Sequence, residues 1–193
     1  MKTIIANWKA HPQTLEEAKE LFNLELAAAD RFTAVQTVIC PPSIFLEELS
    51  KINSLHLGVQ DIDISPSLQS LIGHVLVGHS DRRYGLEETD EIVNQKLKIA
   101  LEMAIIPVLL VGEKERGESR EKVLTEQLEK DLAGLSADQV SKILFTYEPV
   151  WAISTNPDGK ADTPENAVSA IKFIQQFLEK KYGLSSVPCL YGG

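Results

Sequence analysis

The sequence predicts an α/β fold of parallel strands joined by helical crossovers. Three features carry that reading. Seven short runs rich in apolar and β-branched residues recur along the chain, helical patterns separate most of them, and the runs are apolar throughout instead of alternating. Continuous apolar strands are buried on both faces, the condition of parallel strands covered by their own crossover helices.

The first strand is Thr3–Lys9. A helix follows from about Thr14, with Leu15, Ala18, Leu21, Phe22 and Leu26 on one stripe. Thr37–Pro41 is the second strand. Pro41-Pro42-Ser43 stops it ahead of a short helix over Ile44–Lys51, because proline lacks the N–H a ladder needs. His56–Gln60 is the third strand and Val75–His79 the fourth, joined through Asp61-Ile62-Asp63-Ile64-Ser65-Pro66 by a segment long enough for a compact right-handed crossover. A long helix covers about Glu87–Ala104, although Ile92, Lys96, Ile99, Leu101 and Met103 form no clean stripe. Ile106–Gly112 is the fifth strand, Gly117–Leu132 the next helix and Ile143–Tyr147 the sixth strand. Thr163-Pro164-Glu165 opens the last helix, with Thr163 as N-cap, Pro164 in the first turn, and Ile171, Ile174 and Leu178 as its buried stripe. Val187–Tyr191 is the seventh strand. Periodicity alone leaves a closed barrel and an open doubly wound sheet equally available.

At 193 residues with no linker, low-complexity stretch or repeat, the chain reads as one domain over residues 1–193. Apolar residues make up 44% and charged residues 24%, the composition of a soluble globular protein. A net charge of −9 argues against a nucleic-acid surface or a basic membrane patch, yet leaves room for an anionic small molecule held by a few local lysines and amides. No apolar run approaches the ~18 residues of a membrane span. The first residues lack the apolar stretch of a secretory signal. Cys40 and Cys189 both fall in strand-like runs, which argues against a disulfide framework. A cytoplasmic protein is expected.

In parallel α/β folds chemistry gathers at the carboxyl ends of strands. Here strand one ends in Asn7-Trp8-Lys9, strand four in Gly78-His79-Ser80-Asp81-Arg82-Arg83, strand six in Tyr147-Glu148-Pro149-Val150-Trp151, and strand seven in Tyr191-Gly192-Gly193. Taken singly, each has a plain reading: a solvated lysine, a hydrogen-bonded histidine, a strand-ending glutamate, a glycine turn. Together they place a cation, an imidazole, a carboxylate and a glycine turn at the same end of four strands.

These motifs, in this order, resemble the triosephosphate isomerase family. Asn-Trp-Lys, Gly-His-Ser-Asp-Arg-Arg, Tyr-Glu-Pro-Val-Trp-Ala-Ile-Ser-Thr and Leu-Tyr-Gly-Gly match it, with weaker matches at Cys40-Pro41-Pro42, Gly58-Val59-Gln60-Asp61 and Val111-Gly112-Glu113. The resemblance implies a TIM-type (β/α) barrel with seven strands visible and the eighth β/α unit missing after Gly193. It implies interconversion of dihydroxyacetone phosphate and glyceraldehyde 3-phosphate through an enediolate. The family is a standard illustration of a glutamate base paired with a neutral histidine electrophile. By motif match the base is Glu148 and the electrophile His79. Lys9 would supply positive charge to the enediolate and the phosphate, and Asn7 would help place it. Pro149–Thr155 matches the family's lid, whose closure excludes water. Backbone amides of Ser154, Gly192 and Gly193 would meet the phosphate, and Asp81 and Arg82 would organise the site. No metal and no organic cofactor is required.

Departures from the family pattern carry their own expectations. Asp81 stands where the family has glutamate, Ser154 replaces the lid glycine, and Asn156-Pro157-Asp158-Gly159-Lys160 lengthens the second hinge. The short Gln60-to-His79 segment removes most of the loop that reaches into the partner in family dimers, so a homo-oligomer through a non-standard interface is expected. Strands one and seven are expected to close directly or to be covered by another chain. The competing reading is a non-catalytic phosphate-binding or scaffold remnant of the same family.

Overall fold

A computed structural model describes residues 2–154 and 159–192. The chain divides into two compact units, Met1–Leu76 with Met103–Ile106, and Val77–Glu102 with Pro107–Gly193. Each is described by itself.

In the first unit, β1 (Lys2–Asn7) runs parallel to β2 (Val35–Cys40), paired from Lys2↔Val35 to Asn7↔Cys40. The expected strand end at Lys9 is two residues too long. Lys9 turns the chain with φ +53°, a left-handed conformation incompatible with a strand. α1 (Leu15–Ala29) joins the two strands and starts where expected, with Thr14 as its N-cap. The cap is reciprocal: Thr14 Oγ1 accepts from the Glu17 N–H, and the Glu17 carboxylate accepts from the Thr14 N–H. Ala18 and Phe22 from the expected stripe are fully buried, and Phe22 meets Trp8 edge-on with ring centroids 6.4 Å apart.

A 3₁₀ turn, Ser43–Phe45, leads into α2 (Leu46–Ser50). β3 is only Gly58–Val59, shorter than the expected His56–Gln60. Its preceding residues bind β2 instead, through the Ile39 N–H to His56 O bond and an isolated Ile39↔Leu57 bridge. Gly58 is obligatory there, since a Cβ would lie 2.8 Å from both Cys40 Sγ and Val38 Cγ1. α3 (Pro66–Gln69) makes the compact crossover, and β4 (His74–Val77) pairs in parallel with β3 from Gly58↔His74 to Val59↔Val75. β4 ends two residues earlier than expected, because Gly78 takes φ +77° and releases His79 to start a helix.

The second unit carries α4 (Ser80–Arg83), α5 (Asp90–Glu102), β5 (Ile106–Val111), α6 (Arg120–Asp131), α7 (Ala137–Val140), β6 (Leu144–Tyr147), α8 (Pro164–Tyr182) and β7 (Cys189–Tyr191). β6 pairs in parallel with β5 on one side, from Val108↔Leu144 to Val111↔Tyr147, and with β7 on the other, from Phe145↔Cys189 to Tyr147↔Tyr191. Both expected ends of the long helix, Glu87 and Ala104, have positive φ and so lie outside α5. Its buried stripe is Val93, Asn94, Leu97 and Ala100, whereas Ile92 and Ile99 face solvent. Gly117, the expected start of α6, has φ +99°, and the helix begins after Ser119. α7 was not expected, though Ser136 and Gln139 spell a capping box that marks it. α8 agrees with expectation at its Thr163 cap and Pro164 first turn, and ends on Gly183 at φ +72°. Ile174 and Leu178 are fully buried there, while Ile171 is half-buried.

The ladders β1–β2, β3–β4, β5–β6 and β6–β7 are all parallel, and β4, β5 and β6 are almost wholly buried. The continuous apolar runs thus correspond to strands covered on both faces. Cys40 and Cys189 are free thiols, pushed up to about 12 by burial.

Candidate active site

His79 follows β4 by two residues and Glu148 directly follows β6. His79 is the N-cap of α4, and its Nδ1 accepts a hydrogen bond from the Asp81 N–H at 3.1 Å. A ring nitrogen that accepts carries no proton, so this hydrogen bond goes with the tautomer that has its hydrogen on Nε2. That Nε2 lies 3.3 Å from Glu148 Oε1. The other Glu148 oxygen, Oε2, accepts from the Ser80 N–H at 3.0 Å. His79 and Glu148 are only 6% and 7% exposed, so donor and carboxylate meet away from bulk water, where their interaction is strengthened. Ser80 Oγ is buried beside them with no hydrogen-bond partner among the described residues.

The backbone beneath Glu148 is tightly specified. Its N–H donates to Val111 O at 2.8 Å, tying it to the end of β5. Gly112 packs against it so closely that a Cβ there would lie 2.1 Å from Glu148 O. The Gly192 N–H donates to Tyr147 O at 2.9 Å, extending the β6–β7 ladder. Gly192 packs close to the site: a Cβ there would lie 3.3 Å from Thr146 Cγ2 and 3.9 Å from Glu148 Oε1. Gly193 lies outside the described residues.

Past Glu148 the chain enters a 3₁₀ turn, Val150–Ala152, followed by the exposed Ser154. Ser154 does not have a positive φ; among the described residues only Lys9, Glu87 and Ala104 have one without being glycine. Thr155, at the end of the expected lid, and the hinge residues Asn156, Pro157 and Asp158 lie outside the described residues. The start of this segment is anchored on Glu113. Its Oε1 accepts from Tyr147 Oη at 2.8 Å and Trp151 Nε1 at 3.2 Å, and its carbonyl accepts from the Val150 N–H at 3.0 Å. Burial, reinforced by the Glu113 carboxylate, drives the Tyr147 hydroxyl upward and keeps it a donor.

Asp81 and Arg82 follow on α4. Arg82 Nε donates to Glu88 Oε1 at 2.5 Å, an oxygen shared with Lys96 Nζ at 2.5 Å, which ties α4 to α5. Asp81 contributes its backbone N–H to His79, and its largely exposed carboxylate places Oδ2 3.6 Å from His79 Nδ1. Arg83, buried, donates to Gly78 O at 2.9 Å, to Asp90 Oδ1 at 2.7 Å and to Asp131 Oδ2 at 2.5 Å. Burial pushes the Asp131 carboxyl up to about 7 against the pull of Arg83.

In the first unit, Asn7 Oδ1 accepts from the Lys9 N–H at 2.9 Å, and Gln60 Nε2 donates to Lys9 O at 2.7 Å and Cys40 O at 3.0 Å. These bonds hold Lys9 in its left-handed conformation, which costs on the order of 1 kcal/mol or more for a non-glycine residue and is retained where surroundings over-determine it. Trp8 is turned away, its Nε1 donating to Glu25 at 3.1 Å. Among the described residues no group of three His, Cys, Asp or Glu side chains is placed to hold a metal ion.

Parallel strands followed by a buried carboxylate that faces an imidazole form the frame of an α/β enzyme of the proton-transferring class. A family model described as Triosephosphate isomerase matches residues 2–193. The chain is 38% identical over 211 residues to the triosephosphate isomerase of Dehalococcoides mccartyi (strain CBDB1), covering 98% of this chain and 80% of that protein. It is 37% identical to that of Clostridium tetani (strain Massachusetts / E88), covering 100% of this chain and 82% of the other. With that of Dictyoglomus turgidum (strain DSM 6724 / Z-1310) the identity is 34%, over 100% of this chain and 84% of the other. The chain belongs to the triosephosphate isomerase family, with its α/β fold, and is an isomerase of the intramolecular-oxidoreductase class.

Proposed function

We propose that this chain interconverts dihydroxyacetone phosphate and glyceraldehyde 3-phosphate, with Glu148 as base and His79 as electrophile. One observation carries the assignment: His79 Nε2 lies 3.3 Å from Glu148 Oε1 while Nδ1 accepts the Asp81 N–H, so a neutral donor faces a carboxylate in a buried site. Both groups are engaged with each other before substrate arrives. A substrate carbonyl takes the Nε2–H from Glu148 Oε1, which frees that oxygen to face the neighbouring C–H. Glu148 then removes a proton from C1 of dihydroxyacetone phosphate. The electron pair forms the C1–C2 double bond, and charge gathers on the carbonyl oxygen against Nε2–H. The hydroxyl proton on O1 moves to O2, by way of His79 Nε2, and Glu148 returns the carbon-bound proton to C2, which gives the aldehyde. A preorganised donor at the developing oxyanion lowers the barrier because it needs no reorientation during the step.

Lys9 and Asn7, by motif position, bind the phosphate and the developing negative charge. The strained, hydrogen-bonded conformation of Lys9 supports a functional task for it. Ser154 and Gly193 are assigned to phosphate through their amides, Gly192 to close approach, and Asp81 and Arg82 to holding the turn that carries His79. Residues 1–193 acting as one catalytic domain belongs to the same proposal, supported by a family match over 2–193. So do a cytoplasmic setting and a homo-oligomer with an interface other than the family's usual one. Among the described residues no helix is long and apolar enough to cross a membrane.

Binding of a two-carbon phosphorylated carboxylate that mimics the enediolate tests the reading. An isomerase site binds it at least about 100-fold tighter than inorganic phosphate, as transition-state mimics do, and Lys9→Ala abolishes that preference. A chain that binds the mimic no better than phosphate is a phosphate-binding scaffold.

A further inference from the structure

α6 presents two polar side chains to the core, Gln127 and Asp131, on the same face as the buried apolar Leu124 and Leu128. Gln127 is 8% exposed and Asp131 0%. Buried polar groups are costly unless bonded, so where their bonds go shows what they are for. Asp131 reaches, through Arg83, the carbonyl of Gly78, the residue before His79. Gln127 spends its whole amide on one residue: Oε1 accepts from the Gly112 N–H at 2.9 Å, and Nε2 donates to Gly112 O at 3.2 Å. A side chain that pairs with both polar groups of one peptide residue leaves it no freedom to slide or rotate.

Gly112 is also the residue on which the Glu148 backbone rests. A Cβ on it would lie 2.1 Å from Glu148 O, 2.5 Å from Glu148 C and 3.0 Å from Pro149 N. Gly112 and Glu148 are therefore in direct backbone contact, and the position of one dictates that of the other.

We propose that Gln127 is a positioning residue for Glu148, acting through Gly112. Its two hydrogen bonds fix the shelf on which the Glu148 peptide sits, and thereby the 3.3 Å separation of Glu148 Oε1 from His79 Nε2. The inference rests on Glu148 being the base. Misplacing a reacting group by about 1 Å costs on the order of 100-fold in rate, so a loosened shelf is felt in the chemical step more than in substrate binding.

The test is steady-state isomerase kinetics of Gln127→Met, which keeps length and volume but neither hydrogen bond, beside Leu124→Val as a control for lost stability on the same helix face. Gln127→Met is expected to lower kcat by about 10- to 100-fold with KM within about threefold, the signature of an interaction that matters in the transition state. Leu124→Val, at similar thermal stability, should keep the parent kcat. A Gln127→Met protein that is folded and turns over at the parent rate overturns the proposal. Should it not fold, Gln127→Glu, which keeps the acceptor for the Gly112 N–H and loses the donor, is judged by the same criterion. Failure of both to fold makes the contact a folding requirement and also overturns it. Glu148→Gln in the same assay separates the two layers: if it is as active as the parent, the base assignment fails, whereas an inactive Glu148→Gln with a fully active Gln127→Met refutes positioning alone.

Discussion

Glu148→Gln is expected to lower turnover by about 10²–10⁴-fold while leaving the protein folded, the range lost when a positioned base is removed. The amide keeps the shape of the carboxyl but cannot take a proton from carbon. It also has one oxygen where the carboxylate has two. Glu148 now accepts from the Ser80 N–H and faces His79 Nε2, both within 3.3 Å. A glutamine satisfies only one of these donors, so a stability loss of about 1 kcal/mol accompanies the loss of rate. The coupled assay compares parent and variant purified side by side. Equal rates would mean that the base is another group or that the activity comes from a contaminant.

Gly112→Ala is the second large effect. The added methyl would lie 2.1 Å from Glu148 O and 2.5 Å from Glu148 C. Those are backbone atoms that no rotamer change can move. The β5 end and the Glu148–Pro149 peptide must separate, although the Glu148 N–H to Val111 O bond at 2.8 Å pulls them together. Overpacking of this kind costs about 1–3 kcal/mol, roughly 3–10 °C in Tm for a chain of this size. Turnover is expected to fall by about 100-fold, since the carboxylate moves with its backbone. Thermal melts and kcat report the two consequences separately. An alanine variant with the parent kcat would show that Glu148 tolerates displacement, against the account of the site given above.

Much of this was legible in the sequence because it rests on local chemistry. The Thr14 and Thr163 caps, the Pro164 start and the buried apolar runs follow from propensity and patterning, and the structure agrees. Element ends were legible only where a cap or proline marks them. Lys9, Glu87 and Ala104 take positive φ with side chains that do not advertise it, so the first strand and the long helix are shorter than patterning implies. β3 shrinks to Gly58–Val59 because of tertiary pairing, the residues before it bonding to β2 through the Ile39 N–H to His56 O bond and the Ile39↔Leu57 bridge.

The site divides in the same way. His79 and Glu148 could be singled out because both follow apolar strands at the end where chemistry gathers. The groups that hold them could not. Gln127 lies in the apolar stripe of α6 between Leu124 and Leu128, and a polar residue on a core face was the one available signal. Glu113 directly follows the Gly112 that ends the fifth run, yet nothing local shows that its carboxylate accepts from both Tyr147 and Trp151. Such partners come together only through packing of segments distant in sequence.

The account depends most on His79 being a neutral donor aimed at the reacting oxygen. Imidazole ¹⁵N NMR of the free protein at pH 7, with the His79 resonances assigned by Glu148→Gln and His79→Gln spectra, measures this directly. The result predicted is a proton on Nε2 and none on Nδ1, because Nδ1 accepts the Asp81 N–H. A proton on Nδ1, whether as the other tautomer or as the imidazolium, would contradict it.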